Sequence, residues 1–198
     1  MSQAIASRPL VFLTLPDSGM SRVLAQGLIA VAGTLVLTLS AKTKVMLGPV
    51  DMSLQTMAVL LISACFGTRL ALATMLLYLA EGAMGLPVFQ STPEKGIGLA
   101  YMMGPTGGYL LGFVAAAGIV GYAADRGWDR NVLKLFGAMA VASAVTLFLG
   151  FAWLAGLIGA ANAWNFGVLP FILPDLVKAA LAACLLPAGW SVLGMLGV

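Results

Sequence analysis

The chain has 198 residues, 61% of them hydrophobic and only 9% charged, and its mean hydropathy is +1.04. A soluble domain carries about 25% charged residues and about 45–50% apolar ones, so this chain cannot cover a water-facing surface and its solvent is lipid. The basic residues leave a net charge of +3 but form no run or stripe, which excludes a nucleic-acid surface and makes them a record of membrane topology.

In chain order, residues 1–21 are polar to mixed and lack the charged-then-apolar pattern of a cleaved signal. They are expected as a retained N-terminal cytoplasmic segment, partly ordered at best, with "PDSGMSR" (16–22) a turn and helix start. A membrane span needs about 20 apolar residues. That rule divides residues 22–198 into six spans, near 22–41, 53–67, 69–85, 105–124, 131–158 and 173–196. The expected fold is an all-α integral membrane protein, a single domain of six transmembrane helices with two long outer loops, 42–52 and 86–104. The break at "FGTRL" (66–70) reads as a tight hairpin or a re-entrant element. Both long loops contain Gly and Pro and lack a helical pattern. Non-helical backbone at membrane depth persists only where it is buried or lines a cavity, so these loops are cap candidates.

The basic residues orient the bundle. With the N-terminus inside, Arg8, Arg22, Arg69, Arg126, Arg130 and Lys134 are cytoplasmic, while Lys42, Lys44 and Lys95 lie outside. That distribution predicts cytoplasmic N- and C-termini, with both long loops and the start of the last helix facing outward.

Several chemistries are excluded. The sequence has no histidine, which removes imidazole relays, His-based zinc sites and Ser-His-Asp triads. No Lys follows a Gly, and no G-x-G-x-x-G or G-x-S-x-G occurs, so no recognised loop binds ATP and any uphill transport draws energy from another subunit. No cofactor or metal is called for. Cys65 and Cys184 sit in apolar stretches and are expected as small buried side chains.

Small residues recur at Gly104, Gly108, Gly112 and Ala116, a spacing that lets two helices approach closely, either within the monomer or against another subunit. Helix one offers a weaker version in Ala30, Gly33 and Thr34. Tyr101, Met102, Met103, Trp164 and Phe166 gather near the outer boundary as belt or core, with one or two able to line a pocket. Glu81 is at or near membrane depth, suited to an ion pair, a cap or a ligand contact.

The last helix poses the sharpest question. Asp175 and Lys178 are the only charged residues after Lys134. Pro170 and Pro174 suit a helix start, which would put Asp175 in the first turn, favoured by the helix dipole, with Lys178 snorkelling outward. Alternatively, the two present an acceptor and a donor on one helix face to a polar ligand. For an integral-membrane enzyme they would be the one plausible acid–base pair.

Four stretches resemble, in order and spacing, the BioY family, the biotin-binding S components of energy-coupling factor (ECF) transporters. They are "GPVDMSLQT" (48–56), "EGAMGLPVF" (81–89), "MGPTGGYLLGF" (103–113) and "PDLVKAALA" (174–182). The resemblance implies a six-helix protein of the bacterial plasma membrane that captures biotin from outside, working with a transmembrane coupling protein and ATP-binding-cassette ATPases. It also gives the ligand a shape. A ureido ring with two N–H donors and a polarised carbonyl matches Asp175 and Lys178. Gln90 stands where similar proteins place an amide near the ligand, Gln55 is a second amide for ligand contact or helix packing, and Lys42 or Lys44 can meet the valerate carboxylate. Two positions depart from the family pattern. Asp51 stands where a second proline is usual, and helix one lacks a strict Ala-x-x-x-Ala, leaving Ala30 and the other small residues of that helix as the expected docking face for the coupling subunit. The competing expectations are an S component for a different small vitamin and a ligand-free membrane assembly subunit.

Overall fold

The computed structural model describes residues 9–13, 19–46 and 51–195. The rest of the expected cytoplasmic segment and residues 47–50 lie outside the described residues. Helix α1 (Met20–Lys42) is followed by strands β1 (Lys44–Met46) and β2 (Asp51–Ser53). The strands pair antiparallel, with Lys44 opposite Ser53 and Met46 opposite Asp51. A loop at the membrane boundary has little water to satisfy its backbone, and the ladder does that internally.

Helix α2 (Gln55–Ala83) breaks at Gly67, whose φ of 70° and ψ of 174° are non-helical. Gln55 Nε2 donates to the Tyr78 hydroxyl at 2.9 Å across 23 residues of sequence. An unbroken helix would hold those residues about 35 Å apart, so the two halves, 55–66 and 68–83, fold back side by side. A Cβ at Gly67 would run into the Asp125 carboxylate and Pro9. Asp125 Oδ2 in turn accepts from the Thr68 amide at 3.1 Å and the Thr68 hydroxyl at 2.5 Å, capping the second half. "FGTRL" is therefore a tight helical hairpin.

The long loop after α2 carries a one-turn helix, α3 (Gly98–Met102), which no sequence pattern announced. Helix α4 (Gly107–Asp125) and helix α5 (Val132–Ile158) flank a 3-10 turn at Trp128–Arg130. Asn131 starts α5 by accepting from the Lys134 amide at 3.0 Å. A short helix α6 (Ala160–Ala163), a π turn (Trp164–Val168) and helix α7 (Leu169–Met195) then run on without a break. This corrects the expected start of the last helix at residue 173. Pro174 and Pro187 are interior, and Asp175 lies several turns past the true start, so no helix-terminal dipole explains it. Proline is tolerated inside membrane helices where neighbouring groups and local adjustments such as the π turn take up the freed backbone.

Among the described residues, five helical spans are long and apolar enough to cross a membrane, the last running continuously from Ala160 to Trp190. The Gly stripe of α4 packs inward. A Cβ at Gly108 would meet the Leu149 carbonyl and Trp153, one at Gly112 would lie 2.7 Å from Thr146 Cα, and one at Gly121 would lie 2.7 Å from Thr68 Cα. The small residues of α1 also face the bundle. Ala30, Gly33 and Thr34 are buried, a Cβ at Gly33 would lie 2.7 Å from Thr74 Cγ2, and the Thr34 hydroxyl donates to Glu81 Oε1 at 2.9 Å. Ala30 is thus not a docking surface, because α2 already occupies that face. Cys65 is half-buried and Cys184 is exposed, so only the first approaches the expected burial.

The helices place their termini at two ends. One end holds Pro9, Gly67, Asp125 and the turn at Trp128–Arg130. There Trp190 Nε1 donates to Asp129 Oδ2 at 2.7 Å and the Arg130 guanidinium sits 4.3 Å from the centre of the Trp190 ring. Burial raises the Asp129 carboxyl above the usual range despite that hydrogen bond. The other end holds the β hairpin, the long loop and the cavity.

Candidate functional site

At the loop end, a cavity of about 320 Å³ opens between the start of α2, helices α4, α5 and α7, and the long loop between α2 and α4. Its size falls within the range of small-molecule sites. Tyr109 crosses its floor, its hydroxyl donating to the Gly167 carbonyl at 2.6 Å. Any Cβ at Gly150 or Gly167 would overlap this side chain or crowd its hydroxyl, so these two glycines let the phenol reach across. Thr146, which donates to the Gly112 carbonyl at 3.2 Å, and Phe113 and Phe171 complete an apolar wall.

The polar wall is built on Asp175, which is 4% exposed. Its Oδ1 accepts from the Thr56 hydroxyl at 3.1 Å and from Lys178 Nζ at 3.3 Å, and Lys178 Nζ also donates to the Thr56 hydroxyl at 3.0 Å. The triangle leaves two groups uncommitted among the described residues. An ammonium has three N–H donors, of which these contacts use two, and Asp175 Oδ2 takes no hydrogen bond. The site therefore presents one ionic donor and one ionic acceptor, side by side, to the cavity. Thr56 was not legible as the third member, since it comes from a helix 119 residues away in sequence.

Gln55 and Gln90 also line the cavity. The Gln55 amide is held by Tyr78, whose hydroxyl in turn donates to the Val88 carbonyl at 2.9 Å. That relay ties the α2 hairpin to the second loop. Around it, Phe89 fills the space left by Gly82, edge-on to Tyr78 and stacked on Tyr101 with centroids 5.3 and 5.1 Å away. Tyr101 donates to the Gln90 carbonyl at 2.8 Å, and Trp153 Nε1 to the Gly104 carbonyl at 2.9 Å. The loop is thus a built cap rather than a loose connection.

Lys42 does not line the cavity. Its ammonium donates to the Phe89 carbonyl at 2.9 Å, the Thr92 carbonyl at 2.6 Å and the Thr92 hydroxyl at 2.8 Å. It stitches the end of α1 to the cap. The Lys44 side chain lies outside the described residues. The cavity does bring in a lysine that the sequence marked only for topology, Lys95, together with Ser91.

The pattern of the BioY family matches residues 16–195. The chain is 39% identical over 145 residues to the probable biotin transporter BioY of Pyrococcus horikoshii, covering 73% of this chain and 83% of that one. It is 33% identical over 157 residues to the biotin transporter BioY of Thermotoga maritima, covering 76% and 86%. Among solved structures, the S-component for biotin from an ECF-type ABC transporter superposes with a TM-score of 0.74 over 88% of this chain and 95% of that one, at 20% identity, a likeness of fold. With the family pattern spanning nearly the whole described bundle, this chain belongs to the BioY family.

Proposed function

We propose that this protein is the biotin-capturing S component of an ECF-type transporter, resident in the plasma membrane and dependent on ATPase partners for energy. The observation that carries this reading is the pairing of a free acceptor on Asp175 with a free donor on Lys178 in an otherwise largely apolar cavity. A ureido ring offers an N–H to the first and a carbonyl to the second, both as charge-assisted bonds. Gln55 and Gln90 border the same space, and the aromatic and aliphatic walls suit the ligand's thiophane ring and valeryl chain. The family relationship supports the choice of biotin over another small vitamin.

On this reading the chain crosses the membrane six times, each half of the α2 hairpin counting as one crossing. The alternation of helix termini between the two ends supports that count, and the excess of Arg and Lys at the Gly67 end supports a cytoplasmic location for both termini. The cavity then opens outward. Partner docking falls to the exposed face of α1, including Leu24, Leu28, Val31 and Leu35, since Ala30 is buried.

Titration of the purified chain with biotin in detergent, without nucleotide, tests the assignment. Saturable binding at one site per chain is expected; no binding would favour a ligand-free assembly subunit. Lys42→Met separates a cap stitch from a ligand contact. We expect biotin to dissociate about tenfold faster with little change in association, since the lost bonds hold the cap shut. A stitch leaves the preference for biotin over its methyl ester intact, whereas a direct carboxylate contact would erase it.

A further inference from the structure

Within that proposed biotin site, we infer that Ser91 and Lys95 form a separate subsite for the ligand's carboxylate. Ser91 is 4% exposed and lines the cavity, and its hydroxyl is buried with no hydrogen-bond partner. A buried hydroxyl without a partner is disfavoured unless something else comes to meet it. Ser91 also has a φ of 56°, making it the non-glycine residue with positive φ among the described residues. Such conformations are uncommon outside glycine and cluster at ligand sites, held in place by their surroundings. Here the surroundings are the cap contacts of Phe89, Thr92 and the Gln90 carbonyl.

Charge identifies the ligand group. Among the described residues, the charged side chains lining the cavity are Asp175, Lys178 and Lys95. The first two pair with each other at 3.3 Å, so the described lining carries one uncompensated positive charge. A ligand with a neutral polar head and one carboxylate cancels it; a neutral ligand does not. Lys95 is placed for this by a single backbone turn, its amide donating to the Ser91 carbonyl at 2.8 Å. Its ammonium makes no hydrogen bond or ion pair with any described residue. A hydroxyl and an ammonium at the two ends of one loop turn give a carboxylate two donors, one of them ionic.

The test compares biotin with biotin methyl ester, which keeps the ureido and thiophane rings and loses the negative charge. The full chain and the variants Ser91→Ala and Lys95→Gln are titrated with both compounds in detergent. The parent is expected to prefer biotin by at least about tenfold, and each variant to lose most of that preference by weakening for biotin alone. Lys95 is exposed on the cap, so its variant remains informative even where Ser91→Ala lowers yield. A parent that binds biotin tightly, with variants that keep the same preference over the ester, would overturn the subsite while leaving the biotin assignment standing. A parent that binds neither compound would sink the biotin assignment and the subsite together.

Discussion

A chain carrying Asp175→Asn and Lys178→Met together is expected to fold at least as well as the parent and to bind biotin at least about a hundredfold more weakly. The folding half follows from solvent. A lysine or aspartate at mid-bilayer is unfavourable by about 2.5–3.5 kcal/mol on insertion scales, so removing both charges relieves the bundle. The binding half follows from the two uncommitted groups, each of which loses a charge-assisted hydrogen bond worth about 1.5–3 kcal/mol. At about 1.4 kcal/mol per decade, each bond is worth a factor of about ten to a hundred. The single variants are less clean, because each leaves the other charge buried with only Thr56 beside it. If the pair serves only itself and Thr56, the double variant keeps the parent's affinity in isothermal titration, and the ligand reading of this wall is gone.

Gly108→Leu should abolish folded protein. A Cβ at this position already strikes the Leu149 carbonyl and Trp153 and lies 3.1 Å from Gly150 Cα. Two of those neighbours are backbone and cannot rotate away. Overpacking costs about 1–3 kcal/mol where side chains give, and separating α4 from α5 would also open the apolar wall of the cavity. Gly137→Leu is the matched control, since nothing lies within 4 Å of its Cβ. The expected contrast is an aggregated profile on size exclusion for the first and parental yield for the second. Monodisperse Gly108→Leu with parental biotin affinity would mean that this stripe is not a packing face.

The bundle was legible in the sequence because lipid imposes length. Apolar runs marked six spans, two of which fall on the arms of the single broken helix α2 so that the structure has five long helices among the described residues, and the small residues of α4 announced a close helix contact before its partner was known. Asp175 and Lys178 were conspicuous because ionisable groups are scarce in such a run. The misread start of the last helix has a definite origin. Proline ends helices in water, where its missing N–H and ring clash have no compensation, but the π turn ahead of Pro170 carries the helix through. The cap was the least legible part. Its form depends on Phe89 occupying the space left by Gly82 and on Lys42 reaching across 47 and 50 residues of sequence. Neither contact has a local signature, so Ser91 and Lys95 were invisible as neighbours of the cavity.

The fold-back at Gly67 also constrains how the protein sits in its membrane. Its helical arms are about 18 and 24 Å long, both short of a hydrocarbon core about 30 Å thick. The two crossings proposed above are therefore completed by flanking residues of the loop end or by local thinning of the bilayer. On that orientation Arg69 lies just past the bend and favours holding it on the cytoplasmic side. Gly67 thus bears on the lipid around the bundle as well as on the turn within it.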